Sequence, residues 1–413
     1  MKKYSVKLSP SRLSGCVTAP PSKSISHRAL ICAALAEGVS VIKNLAFSQD
    51  ILATIDTLRA IGTEIEEIGA DCVKVRGISG KPKALSPLCC RESGSTLRFL
   101  IPICLLSAEK FELTGSEKLL SRPLGIYSEL FGDRYRGVDK KSLTLSAGEP
   151  ISAGEYRVAG NVSSQFITGL LFALPLCEGD SKIVVEGNFE SASYVDLTLD
   201  TLAKFGIKVK KENNIFYIKG GQNYLPANVA IEGDASNAAF FEAVNFIGGD
   251  VKVLGLNPDS LQGDMAFKKH FCTLKAASHD PIDLSDCPDL APVLFTVAAF
   301  CGGGAFTHTD RLRLKESDRI ESMKCELGKF GAEIQVFDGL DGGTVKVLPS
   351  ELHAPSSPLD SHNDHRVAMA LAILCTRFGG VIEGAESVSK SMPDFFEKLE
   401  ALGAEIKGEN TNE

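Results

Sequence analysis

Lys23, Ser24, Ser26, His27 and Arg28 crowd into the start of an apolar helix, directly behind Pro20 and Pro21, in "PPSKSISHRALICAALAEG". A helix N-terminus is already positive and carries unpaired N–H groups. Cations and hydroxyls placed there suit an anion from solution, a phosphate or a carboxylate. A Ser cap followed by a solvated charged turn accounts for the same stretch. Comparable clusters recur along the chain. "CRESGSTLRF" brings Ser93, Gly94 and Ser95, and Gly94 would let a ligand approach the backbone closely. "GNVSSQF" lines up Ser163, Ser164 and Gln165, and "ESASYVDLTL" adds Ser191 and Tyr194. These suit a phosphate or a polyol, and capping explains them equally well. Arg122 heads a helix in "LLSRPLG". Asp289 precedes an apolar helix, where an N-cap would also stand. "TDRLRLKESDRI" packs Lys315, Glu316, Asp318 and Arg319 around a helix start, "NDHRVAMA" carries Asp364, His365 and Arg366, and Lys390 lies just ahead of a helix in "SVSKSMPDFFEKL". Cations at so many helix starts call for reactants rich in negative charge. Asp289 and Glu316 among them point to proton transfer where charge also develops.

The elements that must hold these clusters repeat. "LRAIGTEIEE", "LAKFGIKVKK", "LGKFGAEIQV" and "LEALGAEIKG" each read as a helix end, a Gly able to take positive φ, and an alternating strand. A second unit repeats six times: a polar cluster, an apolar helix of about a dozen residues, a Gly and a short β-branched strand. The six are spaced by about 55 to 75 residues, longer than a usual solenoid repeat. Helices poor in charge, over 164–176 and 290–300, are expected to be buried on nearly every side. The amphipathic one over 316–330 should lie outside. Three units around each of two cores fit the length. If the helices run parallel within each domain, all six clusters face one place between the domains.

The totals bound the reading. A chain of 413 residues exceeds one ordinary core, and 44% hydrophobic with 23% charged residues describes a globular protein. No window of 18 apolar residues occurs, so no membrane span is expected. The start, "MKKYSVKLSPSRLSG", is basic without an apolar stretch behind it, which argues against a secretion signal and for the cytoplasm. Twelve scattered cysteines, Cys89 and Cys90 adjacent and no C-x-x-C, favour free thiols over disulfides or zinc. The net charge of −8 argues against nucleic acid as main partner. His362 and His365, three apart, do not share a helix face as in H-E-x-x-H, and no third ligand is evident, so no metal is expected. No P-loop, dinucleotide fingerprint or G-x-S-x-G is present.

"PPSKSISHRA", "GNVSSQF", "SASYVDLTLD", "KESDRI", "NDHRVAMA" and "SKSMPDFFE" together resemble, in order and over nearly the whole chain, the motifs of the 5-enolpyruvylshikimate-3-phosphate synthase family, the 3-phosphoshikimate 1-carboxyvinyltransferases. The resemblance implies an α/β fold of two domains, each of three repeated βαβαββ-type units with parallel buried helices. It implies that residues 20–233 form an inserted domain, that 1–19 and 234–413 form the other, and that the active site lies in the cleft between them. It implies transfer of the enolpyruvyl group of phosphoenolpyruvate to the 5-hydroxyl of 3-phosphoshikimate, with release of phosphate, in aromatic amino-acid biosynthesis. No cofactor or metal is implied, and a monomer is expected. Carried over by position, Lys23, Ser24, Arg28, Ser163, Ser164, Gln165, Ser191, Asp289 and Lys315 would meet 3-phosphoshikimate. Lys23, Gly94, Arg122, Gln165, Arg319, Arg366 and Lys390 would hold phosphoenolpyruvate. Asp289 would take the hydroxyl proton, Lys390 and Glu316 would handle protons at C3, and Lys23 would join them in catalysis. Three departures stand out: Glu92 where the family more often has Asn, Phe99 where it has Pro, and Arg311 where an Asn ligand is common. The stretch 131–154 looks shortened. Two rival readings remain. The sister transferase that uses UDP-N-acetylglucosamine employs a loop Cys, which Cys89 and Cys90 bring to mind. A non-catalytic phosphosugar-binding repeat protein would need the cations but not Asp289, Glu316 and Lys390 together.

Overall fold

The computed structural model describes residues 4–139, 141–276, 280–339 and 342–410; the first three residues of the basic opening stretch lie outside them. The chain divides into two compact units. Pro21–Glu232 forms an inserted unit, and Met1–Pro20 with Gly233–Glu413 forms a terminal unit.

The inserted unit holds α1 (Lys23–Leu35), α2 (Gln49–Ala60), α3 (Gly94–Cys104), α4 (Glu117–Leu120), α5 (Gly125–Phe131), α6 (Ser164–Ala173) and α7 (Ala192–Lys204). Around them stand three four-stranded sheets of one pattern. Leu88–Cys89 runs parallel to Phe111–Thr114, which pairs antiparallel with Ser142–Leu145, and that strand pairs in turn with Tyr135–Val138. A βαβαββ order produces this arrangement, because the first helix must carry the chain back to make a parallel pair and a hairpin then closes the sheet. The sheet beside α1 takes its parallel edge, Asn228–Ala230, from the far end of the unit, next to Val39–Lys43. Helices α1, α3 and α6 carry almost no polar residues beyond their first turns, and their apolar bodies fill one core.

The terminal unit holds α8 (Ala235–Ala243), α9 (Phe267–Lys275), α10 (Ala291–Cys301), α11 (Arg319–Gly328), α12 (His365–Phe378) and α13 (Phe395–Ala401) around a second core. Two of its sheets repeat the four-strand pattern. The third has only Ser14–Thr18 parallel to Asp250–Leu254 among the described residues. The strand Tyr4–Ser9 lies between Gly380–Glu383 and Glu405–Asn410, antiparallel to both.

The four recurring Leu/Gly segments are one device. At the end of α2, Thr63 N–H donates to the Leu58 carbonyl at 3.0 Å and Gly62 N–H to Arg59 at 3.0 Å, with Gly62 at φ +106°. The same pair of bonds ends α7 at Gly206, α11 at Gly331 and α13 at Gly403. Each is a Schellman cap, which satisfies carbonyls the helix leaves unpaired and turns the chain into its strand.

Several helix bounds differ from the expected ones. Leu174–Leu176 tightens into a 3₁₀ turn after α6, because Pro175 cannot donate to the α-helical ladder. α11 begins at Arg319, not at 316, because Asp318 is its cap and accepts from Ile320 and Glu321 N–H, each at 3.1 Å. α5 starts at Gly125, so Arg122 does not head it but lies in the link after α4. Asp289 belongs to a 3₁₀ turn, Pro288–Leu290, and makes no N-cap bond to α10.

Candidate active site

In the inserted unit the helix starts are tied together by side chains. Lys23, at the first position of α1, donates to Asp50 Oδ2 of α2 at 2.9 Å. Buried Arg28, one turn further on, donates through Nε to Thr198 Oγ1 at 2.9 Å and through Nη2 to the Tyr194 carbonyl at 2.8 Å, both on α7. Its Nη1 reaches the Ser24 carbonyl at 2.7 Å, and its guanidinium stands 5.3 Å from the centre of the Phe99 ring. Burial pulls Arg28 down to about 10, which leaves it cationic at neutral pH. His27 beside it is pushed well below 6.5 by burial and by Lys23 and Arg28. It is therefore a neutral ring, hydrogen-bonded through Nδ1 to Thr54 Oγ1 at 2.7 Å.

A second cluster gathers at the starts of α3 and α6. Ser93 caps α3 by accepting from Thr96 N–H at 3.2 Å, and Ser163 caps α6. Gln165 Nε2 donates to Ser95 Oγ at 3.0 Å, and its Oε1 accepts from Arg98 Nη1 at 2.7 Å. A Cβ at Gly94 would stand 2.9 Å from Arg122 Nη1 and 3.1 Å from Arg98 Nη1, so only Gly keeps the space before these guanidinium groups. Arg98 is held from behind by a specific substitution in the ladder. Pro102 has no N–H to give the Arg98 carbonyl, and the buried Tyr127 hydroxyl supplies that bond at 2.6 Å. Gly169 lets α6 approach the same spot, since a Cβ there would meet the Arg98 carbonyl at 2.8 Å. Ser164 is buried at the first position of α6. Ser191 is buried and left-handed at φ +56°, a conformation that costs energy in a non-Gly residue and often marks a functional position.

In the terminal unit the centre is Arg319, 1% exposed at the start of α11. Its Nε donates to Asp364 Oδ2 at 2.9 Å, Nη1 to Asp289 Oδ1 at 2.8 Å and Nη2 to Glu316 Oε2 at 2.9 Å. Asp289 also pairs with Lys315 at 3.2 Å and Arg366 at 3.4 Å. Burial alone would raise the Asp289 carboxyl, but Lys315, Arg366 and Arg319 hold it well below the usual range. Burial likewise pulls Lys315 down against the attraction of Asp289, and the guanidinium groups of Arg319 and Arg311 add to that fall. Arg366 is buried at the start of α12, where Asp364 caps the helix by accepting its N–H at 2.9 Å. Lys390 ends a 3₁₀ turn, Ala385–Lys390, and donates to the Asn363 carbonyl at 2.6 Å. His362 is bound to Glu326, and no cluster of three metal-ligating side chains occurs among the described residues.

The structure thus gathers Lys23 and Arg28, then Gly94, Arg122 and Gln165, in one unit. It gathers Asp289, Lys315, Glu316, Arg319 and Arg366 in the other. Asp50 and Arg98 were not singled out from the sequence. Arg98 had a signal, since a cation four residues into an otherwise apolar helix needs a partner. Asp50 had none beyond its place in the first turn of α2, where an acid is ordinary. Phe99, the departure from Pro, is buried against His27, Phe172 and Arg28.

A family model described as EPSP synthase (3-phosphoshikimate 1-carboxyvinyltransferase) matches residues 8–399. The 3-phosphoshikimate 1-carboxyvinyltransferase of Clostridium novyi is 41% identical over 97% of this chain and 98% of its own length. That of Clostridium kluyveri is 42% identical over the same shares. Among solved structures, EPSP synthase from Acinetobacter baumannii superposes with a TM-score of 0.76 at 25% identity, covering 99% of this chain and 100% of its own. The enolpyruvyl transferase NikO from Streptomyces tendae shares the fold, with a TM-score of 0.78 at 15% identity over the full length of both chains. With a family match across almost every residue and relatives matched over nearly their whole length, the chain belongs to the EPSP synthase family, the 3-phosphoshikimate 1-carboxyvinyltransferases.

Proposed function

We propose that the two polar faces serve one reaction, the transfer of the enolpyruvyl group of phosphoenolpyruvate to 3-phosphoshikimate, the activity that the family carries. The observation that bears most weight is Asp289, a partly buried carboxylate surrounded by Lys315, Arg319 and Arg366. An acid kept ionised among cations suits a proton acceptor that works beside an anionic partner. Lys23, Ser24, Arg28, Ser163, Ser164, Gln165 and Ser191 bind the phosphorylated ring, and Asp289 and Lys315 address its hydroxyls. Gly94, Arg122, Arg319, Arg366 and Lys390, with Lys23 and Gln165, hold phosphoenolpyruvate.

The chemistry follows from those placements. C3 of phosphoenolpyruvate takes a proton, which makes C2 cationic. The 5-hydroxyl of 3-phosphoshikimate forms a bond to C2 and gives its proton to Asp289. The tetrahedral adduct then loses a proton from C3 as the C2–O bond to phosphate breaks. Glu316 and Lys390 carry the protons at C3. The cations that hold Asp289 low also make it a weak base. The donor's negative groups, once on Arg366 and Arg319, neutralise part of that field and raise the basicity of Asp289. The acid is thereby activated when the second substrate is present. Closing the site around both substrates would exclude water and strengthen each ion pair.

The buried thiol of Cys90 is pushed well above its ordinary value by burial, so it is protonated and inert at neutral pH. Cys89 is exposed at the end of a two-residue strand, one residue before the loop into α3. Neither feature supports the loop-Cys chemistry of the sister transferase. Arg122→Ala and Arg366→Ala test the assignment of the donor. Each is expected to weaken phosphoenolpyruvate binding by roughly 1.5–3 kcal/mol, the scale of one charge-assisted bond, and to leave 3-phosphoshikimate binding nearly unchanged. Calorimetric titration with each ligand measures both; equal losses would show that these arginines are wrongly assigned.

A further inference from the structure

Glu326 lies on α11, two turns beyond Arg319, and its side chain is 1% exposed. A buried carboxylate in the last turn of a helix is costly unless it is fully partnered. Two of the bonds of Glu326 go to one segment of another element, and Lys329, the residue that caps its own helix, links the two. Its Oε2 accepts from Asp360 N–H at 2.9 Å and from Lys329 Nζ at 2.8 Å, and Lys329 also donates to the Pro358 carbonyl at 2.8 Å. Its Oε1 accepts from His362 Nε2 at 3.0 Å. The segment so held is unusual. His362 and Asn363 are consecutive non-Gly residues at φ +50° and +53°, which cost energy and persist only where the surroundings impose them. Further bonds fix it from other sides. His362 N–H donates to Asp360 Oδ1 at 2.7 Å, Asn363 N–H to Ser361 Oγ at 3.2 Å, and Ser361 N–H to the Glu383 carbonyl at 3.0 Å. The left-handed turn aims the Asn363 carbonyl at the Lys390 ammonium, 2.6 Å away, and delivers Asp364 to the cap of α12.

We propose that Glu326 is a positioning residue for Lys390: by clamping Asp360 and His362 it holds the left-handed turn whose Asn363 carbonyl orients the Lys390 ammonium. The inference rests on the reading of Lys390 as a phosphoenolpyruvate ligand. The groups that face His362 are Glu326 on α11, Lys329 at the cap of α11 and Asp360 on its own segment. The bond to Glu326 raises the His362 imidazole above its ordinary value, so the clamp keeps charge assistance to a higher pH than a free imidazole would supply.

A double-mutant cycle on phosphoenolpyruvate affinity, measured by titration in the presence of 3-phosphoshikimate, tests this. Glu326→Ala should weaken phosphoenolpyruvate by about tenfold and leave 3-phosphoshikimate affinity unchanged. The double variant Glu326→Ala with Lys390→Ala should bind no more weakly than Lys390→Ala alone, because the two losses are one loss. Glu326→Gln keeps one acceptor oxygen for Asp360 N–H and turns an amide N–H toward His362 Nε2, which a neutral imidazole can accept, so it should restore affinity to within about threefold of the parent, on the scale of a single hydrogen bond. It also covers the case in which the Ala variant fails to fold. Additive losses, or a Gln variant as weak as the Ala variant, would overturn the clamp. Unchanged phosphoenolpyruvate affinity in Lys390→Ala would instead remove the reading of Lys390, and the inference with it.

Discussion

Arg319→Ala is expected to melt about 10 °C below the parent protein, the shift that roughly 3–5 kcal/mol implies for a unit of this size. The arginine is 1% exposed and makes its bonds to Asp364, Asp289 and Glu316. Deleting it leaves three carboxylates facing one another without their common cation. The turnover should fall with the stability, by about a hundredfold or more, because Asp289 and Glu316 lose the partner that fixes their geometry. Lys in place of Arg keeps the charge but cannot fork to three acceptors, so it should recover only part of either loss. Scanning calorimetry and steady-state turnover on both variants measure these effects. A melting temperature within about 2 °C of the parent for Arg319→Ala would show that the three carboxylates do not depend on it.

The second large effect is expected at Asp289. Asp289→Asn keeps the shape and removes the proposed base, so kcat should fall by about 10²- to 10⁴-fold, the usual contribution of a positioned proton acceptor. Binding of 3-phosphoshikimate should change far less. A stability signature accompanies the rate. The folded protein holds the Asp289 carboxyl well below its ordinary value, so this group stabilises the fold above the unfolded value of about 3.9 and loses that contribution as pH falls through its depressed value. The Asn variant lacks a titrating group there and should lose less stability than the parent on acidification. Unchanged kcat in the variant would place the base elsewhere, with Glu316 the next residue to replace.

How much of this could be read from the chain differs by level. The repeat was legible because Leu-x-x-x-Gly is chemically specific: a helix that ends on left-handed Gly with a 6→1 bond leaves the same trace four times, at Gly62, Gly206, Gly331 and Gly403. The apolar helices were legible because α6 and α10 have no polar face to expose. Helix starts were read three residues early at α5 and α11, since charged residues before a cap look the same as charged residues after it. The site was legible as a set of cations at helix starts. Its wiring was not. Nothing near Lys23 in sequence announces Asp50, and nothing in "KESDRI" says that Arg319 holds acids from two other elements, at Asp289 and Asp364. The support for Arg98 is similarly remote, because a Pro four residues ahead in α3 creates a carbonyl that only folding brings to Tyr127. The two-strand sheet of Ser14–Thr18 and Asp250–Leu254 also escapes a reading by repeats, which assumes equal units.

The central claim is that these residues carry out enolpyruvyl transfer to a phosphorylated shikimate ring. Phosphate release from phosphoenolpyruvate tests it most directly, with the acceptor varied. One phosphate should appear for each enolpyruvyl ether formed when 3-phosphoshikimate is the acceptor. None should appear with phosphoenolpyruvate alone or with UDP-N-acetylglucosamine in its place. Phosphate released on UDP-N-acetylglucosamine, or none released on 3-phosphoshikimate by the folded protein, would contradict the assignment.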